Sequence, residues 1–226
     1  GNDIDAIPEP AIAVISGFVR AGGIASNCNI YDGTNTWTRF IAEWFRNKVR
    51  AVFPDVLFDA PWSGGGSDCD PRTCVTWDPA WGSAPPPEVR IFGAVLDADY
   101  VVNVPIVKRH SQANLSLGFK NHFGSIDKCN RLHPYVYADT PGTSVLADIM
   151  GSPAHPSVTP LYRKTVLTVG DMLYGQPCKN FSATPRPWKT WGNEWPNCLS
   201  VSDDVVAADS VMSDLLEAEP ASDGGC

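Results

Sequence analysis

The chain reads as an α/β protein: a mostly parallel sheet with helices on both faces, Rossmann-like and three-layered, broken by two long excursions rich in Cys, Trp and Pro. Three observations predict this class. Amphipathic helical segments alternate with short runs of β-formers, the order that builds parallel sheets through crossover helices. The run 100–104 is continuous in β-favouring side chains, as a strand buried on both faces would be. With 226 residues, 43% of them hydrophobic and 19% charged, the chain can close one sizeable core.

The elements follow in order. Residues 8–22 form an amphipathic helix that Pro8 and Pro10 open. Ile12, Ile15, Phe18 and Val19 share one face, and Gly22-Gly23 stops it. A short strand over 27–31 closes at Asp32-Gly33. Residues 37–53 give a second helix, with Trp37, Phe40, Ile41, Trp44, Phe45, Val49 and Val52 at helical spacing, and Pro54-Asp55 ends it. Residues 56–58 are the next strand. Over 61–88 the periodicity stops: Gly, Ser, Pro and Asp dominate, with Trp62, Trp77 and Trp81 interleaved. An ordered loop of that length needs a function or a staple. Alternation resumes at 89–92, and 100–104 is a buried strand. A helix is expected over 111–123, ending at Gly124, and 127–163 is irregular. Residues 165–169 form a strand, 175–197 the second Trp/Pro excursion and 199–202 the last strand. Asp203 caps a final helix bearing Val206, Val211, Met212, Leu215 and Leu216, and 218–226 is a polar tail. No internal repeat or linker divides the chain, so 1–226 is one domain. A doubly wound domain begins on a strand, and this one begins on a helix. The chain is therefore expected to be the larger, C-terminal part of a longer domain.

Composition narrows the partners. Twenty-five acidic against 17 basic residues give a net charge of −8, which argues against nucleic acid. No apolar run approaches the roughly 20 residues of a membrane span. Seven cysteines, eight Trp and 20 Pro point to an exported protein, periplasmic or extracellular. Cys69 and Cys74 are read as a local disulfide, with a metal pair as the alternative; the second close pair of a zinc ribbon is missing. Cys178 and Cys198 bracket the second excursion, where a disulfide would remove loop entropy. The odd thiol is Cys226. No haem or ferredoxin-type cysteine motif occurs, while a bound metal stays open. Gly64-Gly65-Gly66 lacks the Lys and helix of a phosphate loop. The Trp residues read as buried loop anchors in preference to sugar-stacking platforms.

Chemistry concentrates at Asn103-Val-Pro-Ile-Val-Lys108-Arg109-His110 and Gly118-Phe-Lys120-Asn121-His122-Phe-Gly124, just past the carboxyl end of the 100–104 strand. Ligands bind at that edge of open parallel sheets. So many cations in an acidic chain call for an anionic partner. Imidazole titrates near neutrality, which suits acid/base work or metal ligation.

These motifs resemble the family called domain of unknown function 362. Asn103-x-Pro105-x-x-Lys108-x-His110, Lys120-Asn121-x-Phe123-Gly124 and the later His133 follow its pattern. Lys164 to Gly175, with a strand ending at Asp171, is similar to a further segment. Ser202-Asp-Asp204-Val-Val-Ala207-Ala-Asp209 fits another, with Val205 where the family has Pro, and Asn29-Ile-Tyr-Asp32 fits as well. Members often carry iron–sulfur cysteine runs, and this chain has no Cys-x-x-Cys-x-x-Cys. Members also have a strand-containing segment ahead of the region matching 8–22. The resemblance implies a fold and site positions more than a reaction.

Two readings stay open. In the first, Lys108 and Lys120 hold a small anion, and His110 is an acid/base group oriented by Asp171. Asn103, Asn121, His133, Asp204 and Asp209 complete that ligand site, and a metal variant uses His110, His133 and Asp171. In the second, the protein is a non-catalytic accessory subunit of an extracellular or periplasmic assembly, and another chain completes its N-terminal part.

Overall fold

One long strand organises the sheet. In a computed structural model, which describes residues 6–31, 43–59, 74–136, 142–151, 161–178 and 185–220, helices and strands alternate as expected. The order is α1 (Pro8–Arg20), β1 (Asn29–Tyr31), α2 (Glu43–Val52), β2 (Leu57–Asp59), α3 (Gly93–Asp97), β3 (Val101–Asn103), β4 (Ile106–His110) and β5 (Asn114–Ser116). There follow α4 (Gly118–Asn121), α5 (His133–Val136), α6 (Val145–Met150), α7 (Leu161–Lys164), β6 (Thr165–Gln176), β7 (Cys198–Ser202) and α8 (Val205–Ala218).

Along one edge of β6, β3 runs parallel to its first part, with Asn103 opposite Thr168. β4 runs parallel to its second part, with Ile106 opposite Asp171. Val104-Pro105 separates the two. Pro105 has no N–H for a ladder, but its carbonyl accepts the Asp171 N–H at 2.7 Å. β3 and β4 thus behave as one interrupted strand. β7 pairs antiparallel on the other edge and β5 folds back on β4. β1 and β2 form a separate parallel pair. Between Ile106 and Lys108 the partner on β6 jumps from Asp171 to Gln176, so β6 carries a bulge. Gly175 in that bulge has φ +67°, and a Cβ there would sit 2.7 Å from the Trp188 ring.

Alternation along the strands feeds two cores. Val107 and Met172 pack with Leu117, Trp188, Ala208, Met212 and Leu216 under α8. Val101 packs on the opposite side with Val95, Phe123, Ile126, Leu132 and Ile149. Helices therefore cover both faces of a parallel-rich sheet. A third core, of Ile15, Phe45, Val49 and Val56, joins α1 and α2 to β1–β2. No described helix is long and apolar enough to cross a membrane.

Several expectations are corrected. Residues 106–110, given no element between the 100–104 strand and the expected helix, are β4. The helix expected over 111–123 is a hairpin strand, β5, followed by the short α4 and a 3-10 turn, His122–Ser125. Asn114, left-handed at φ 60°, closes the hairpin, so pairing with β4 overrides the local apolar pattern. Residues 89–92 make only isolated bridges, Arg90 with Cys74 and Ile91 with Ile126. The stretch 127–163 contains α5, α6 and α7, and the strand expected over 165–169 continues to Gln176. The cap of α8 is Asp204, not Asp203: its carboxylate accepts the N–H groups of Val206 and Ala207 at 2.8 and 3.2 Å.

Cys74 and Cys178 are each disulfide-bonded. Cys198 is a free thiol, so it does not close the second excursion onto Cys178. β7 places it opposite Met172, about 13 Å of strand short of the end of β6, and a disulfide needs Cα atoms within about 7 Å. Trp81 and Trp188 are buried anchors, donating to the Asp148 carboxylate at 2.8 Å and to the Tyr174 carbonyl at 3.1 Å. The expectations on Asp32-Gly33, Trp37, Phe40, Ile41, Trp62, Gly64 to Gly66, Cys69, residues 179–184 and Cys226 lie outside the described residues.

Candidate functional site

The site grows from β4. A strand sends alternate side chains to opposite faces, so Lys108 and His110 share one side and Val107 and Arg109 the other. Arg109 accordingly leaves the cluster and donates to the Leu216 carbonyl of α8 at 2.7 Å. At the β4–β5 turn, the N–H groups of Gln112 and Ala113 donate to His110 Nδ1 at 3.1 and 3.0 Å. In the neutral ring the proton must therefore sit on Nε2.

Lys120 comes from α4, a helix too short to hold itself. Asp209 on α8 supplies the anchor: its two carboxylate oxygens accept the N–H groups of Gly118 (2.6 Å) and Phe119 (3.0 Å). A Cβ at Gly118 would fall 2.7 Å from Asp209 Oδ1, so glycine is required for this approach. From β3, Asn103 donates to the Gly118 carbonyl at 2.9 Å and accepts from Asn121 at 2.7 Å. Asn103, Asn121 and Asp209 are thus positioning residues that fix where Lys120 goes.

Aromatic contacts connect the pieces. The His110 ring stacks on His133, with centroids 5.4 Å apart and planes 12° from parallel. His133 meets Phe123 edge-on at 5.5 Å. Lys120 Nζ sits 3.7 Å over the Phe123 ring. Burial, reinforced by Lys120, His133 and Lys108, pushes His110 down to about 3. His133 is also lowered, by burial and then Lys120, with the Asn130 backbone opposing. Burial brings Lys120 down to about 8; Cys129 opposes that fall and Lys108 adds to it. At neutral pH both imidazoles are uncharged beside two lysines.

Cys129 belongs here too. It is a buried free thiol opening the 3-10 turn Cys129–Leu132, raised by burial and partly pulled back by Lys120. The available signal was its spacing: Cys129 and His133 are four apart, as on one helical face. Cys129 has no role among the sequence-based expectations.

The structure does not bring every expected residue together. Asp171 is buried opposite Ile106, accepts the Leu173 N–H at 3.0 Å, and is raised by burial, with Glu9 adding to the rise. His110 lies four residues further along, about 13 Å by strand rise, so backbone amides orient it and Asp171 does not. Asp204 is an exposed helix cap. No group of three or more His, Cys, Asp or Glu is placed to hold a metal among the described residues, so His110, His133 and Asp171 do not assemble as one ligand set.

The family model described as domain of unknown function (DUF362) matches residues 67–214, which span every one of these site positions. The chain belongs to the DUF362 family. No curated protein matches it significantly. In this DUF362 chain the match takes in β3 to β7 and most of α8, so the Asp209 clamp, the Asn103–Asn121 bond and Lys120 all fall inside the family domain. The β1–β2 pair lies ahead of it. It is tied to the domain through Tyr31, whose hydroxyl lies 2.7 Å from Ser125 Oγ.

Proposed function

We propose that this site binds a small anionic ligand between Lys108, Lys120 and the His110–His133 stack, and that the protein acts as an exported enzyme. One observation carries the reading. Lys120 is 8% exposed, and no hydrogen-bond acceptor or carboxylate meets its ammonium among the described residues. A buried cation without a counter-charge costs free energy that an incoming anion recovers. The neutral His133 imidazole supplies a proton acceptor at physiological pH, which favours chemistry over mere storage. The disulfide-bonded Cys74 and Cys178 support export.

Calorimetric titration of phosphate, acetate and oxalate against the wild type and Lys120→Met tests the reading. One of these anions should bind the wild type and lose at least about tenfold in affinity in the variant. Equal binding to both proteins, or to neither, overturns it.

A second reading, an accessory subunit docked to another chain, draws on the exposed Leu199 and Val201 of β7, which pairs only β6 among the described residues. Light scattering on wild type and Val201→Lys tests whether that edge associates. A monomer in both cases removes this support.

A further inference from the structure

We infer that Lys120 is a nucleophilic amine that forms an imine with the carbonyl carbon of a small anionic oxo compound, of the 2-oxo acid class. The inference rests on the anion-binding reading of the same site and adds the ligand's reactive group. A comparison within the fold shows why Lys120 is not a structural lysine. Lys164, also partly buried, donates to the Leu96 and Ala98 carbonyls, both at 2.5 Å, and so ties α7 to the end of α3. Lys120 is more deeply buried and makes no such bond; its only described contact of that strength is the face of Phe123. Yet the fold spends four hydrogen bonds, two accepted by Asp209 and two made with Asn103, on holding the turn that carries it. A side chain pinned in place with its functional end unengaged is set up to meet something else.

The neighbours suit amine chemistry. Lys108 is a second positive charge close enough to depress Lys120, the arrangement that activates Schiff-base lysines. With its pKa near 8, about a tenth of Lys120 is the free amine at pH 7. Cys129 does not compete, because burial raises its thiol and keeps it protonated. The step balances without any redox partner. The Nζ lone pair bonds to the carbonyl carbon, and the carbonyl π pair moves to oxygen. His133 shifts a proton from nitrogen to that oxygen to give the carbinolamine, and a second proton passed from nitrogen to the hydroxyl lets the C–O bond break, releasing water and leaving C=N. Placing the carboxylate next to the carbonyl lets Lys108 hold the charge while Lys120 meets the electrophile.

The test uses glyoxylate with sodium cyanoborohydride at pH 8, followed by intact mass and peptide mapping. Reduction of the imine leaves one carboxymethyl group on Lys120, formed about tenfold faster than on any other lysine. The variants Lys120→Met and Lys120→Arg, checked for folding by circular dichroism, should lose that adduct and keep only slow background labelling. If labelling is spread over surface lysines while glyoxylate and oxalate still raise the melting temperature, the imine is overturned and the anion site stands. If neither labelling nor stabilisation occurs, the imine and the anion site both fall.

Discussion

Lys120 is protonated at neutral pH in a place where its charge is poorly solvated, and that fact has a sign. The folded value, about 8, lies below the ordinary 10.5. Between these two pH values the unfolded chain binds more protons than the native one, so stability rises with pH across that window. Below pH 8 the full penalty applies. Removing the charge while keeping the stem should therefore strengthen the fold: Lys120→Met is expected to gain roughly 2 kcal/mol at pH 7 by urea denaturation. It should also flatten the rise in stability between pH 8 and 10. A variant less stable than the wild type at pH 7 would mean that the ammonium is satisfied after all. A residue that destabilises its own protein and sits on a turn clamped by two other elements is kept for what it does, not for packing. His110 carries the same lesson in weaker form, held by two backbone amides in one tautomer and kept neutral by burial and then by its neighbours.

The short helix α4 shows how an element depends on partners far away in the chain. Asp209 is 91 residues from Gly118, yet its carboxylate replaces the cap that α4 lacks. Asp209→Ala should cost about 2–3 kcal/mol, because two amides lose their acceptor inside a half-buried junction. Asp209→Asn, with one acceptor oxygen left, should cost less. Both should slow labelling at Lys120 more than they lower the melting temperature of the distant α1–α2 core, and proton exchange at Gly118 and Phe119 reads this directly. The chemistry of this segment was legible in the sequence: Lys120-Asn121 and Lys108-x-His110 are local motifs, and the structure places Lys108, His110, Lys120 and His133 together. Its shape was not. The apolar residues Leu115, Leu117 and Phe119 have a spacing that a helix or a hairpin accepts, and only the pairing of β5 with β4 decides between them. β4 itself was hidden because Pro105 reads as a strand end and Lys108-Arg109-His110 as solvated loop. In fact one face of those residues meets the site and the other meets α8. The expected His110–Asp171 pair failed for a related reason: register across a bulge is set by tertiary contacts such as Gly175 against Trp188, and no local pattern announces it.

At the scale of the whole molecule, three neutral histidines on one side of the sheet make the fold acid-sensitive. His122 is the clearest. It is 1% exposed, its Nδ1 lies 3.0 Å from Ser125 Oγ, and its Nε2 has no hydrogen-bond partner among the described residues. Burial lowers it to about 4, as burial and cationic neighbours lower His110 to about 3. Both folded values are depressed, so their contribution is complete above the ordinary histidine value of 6.5 and is lost as pH falls through the folded values. His133, lowered in the same direction, adds to the slope. The carboxylates act in opposite senses. Asp171 and Asp209 are raised by burial and gain stability on acidification. For Glu219, burial works upward, but hydrogen bonds from Thr190, Lys189 and Arg186 carry it below the usual range, so it loses stability. Lys120, with its folded value near 8, stays largely charged over this range and adds little slope. From pH 7 to 5, His122 alone should cost about 2 kcal/mol. His122→Phe separates this cause from general acid unfolding, because Tyr31 and Ser125 keep each other as partners when the imidazole is gone. The variant's urea midpoint should fall distinctly less than the wild type's between pH 7 and 5. Parallel curves for the two proteins would mean that the acid sensitivity, and with it the tie between the β1–β2 pair and the sheet, does not run through this histidine.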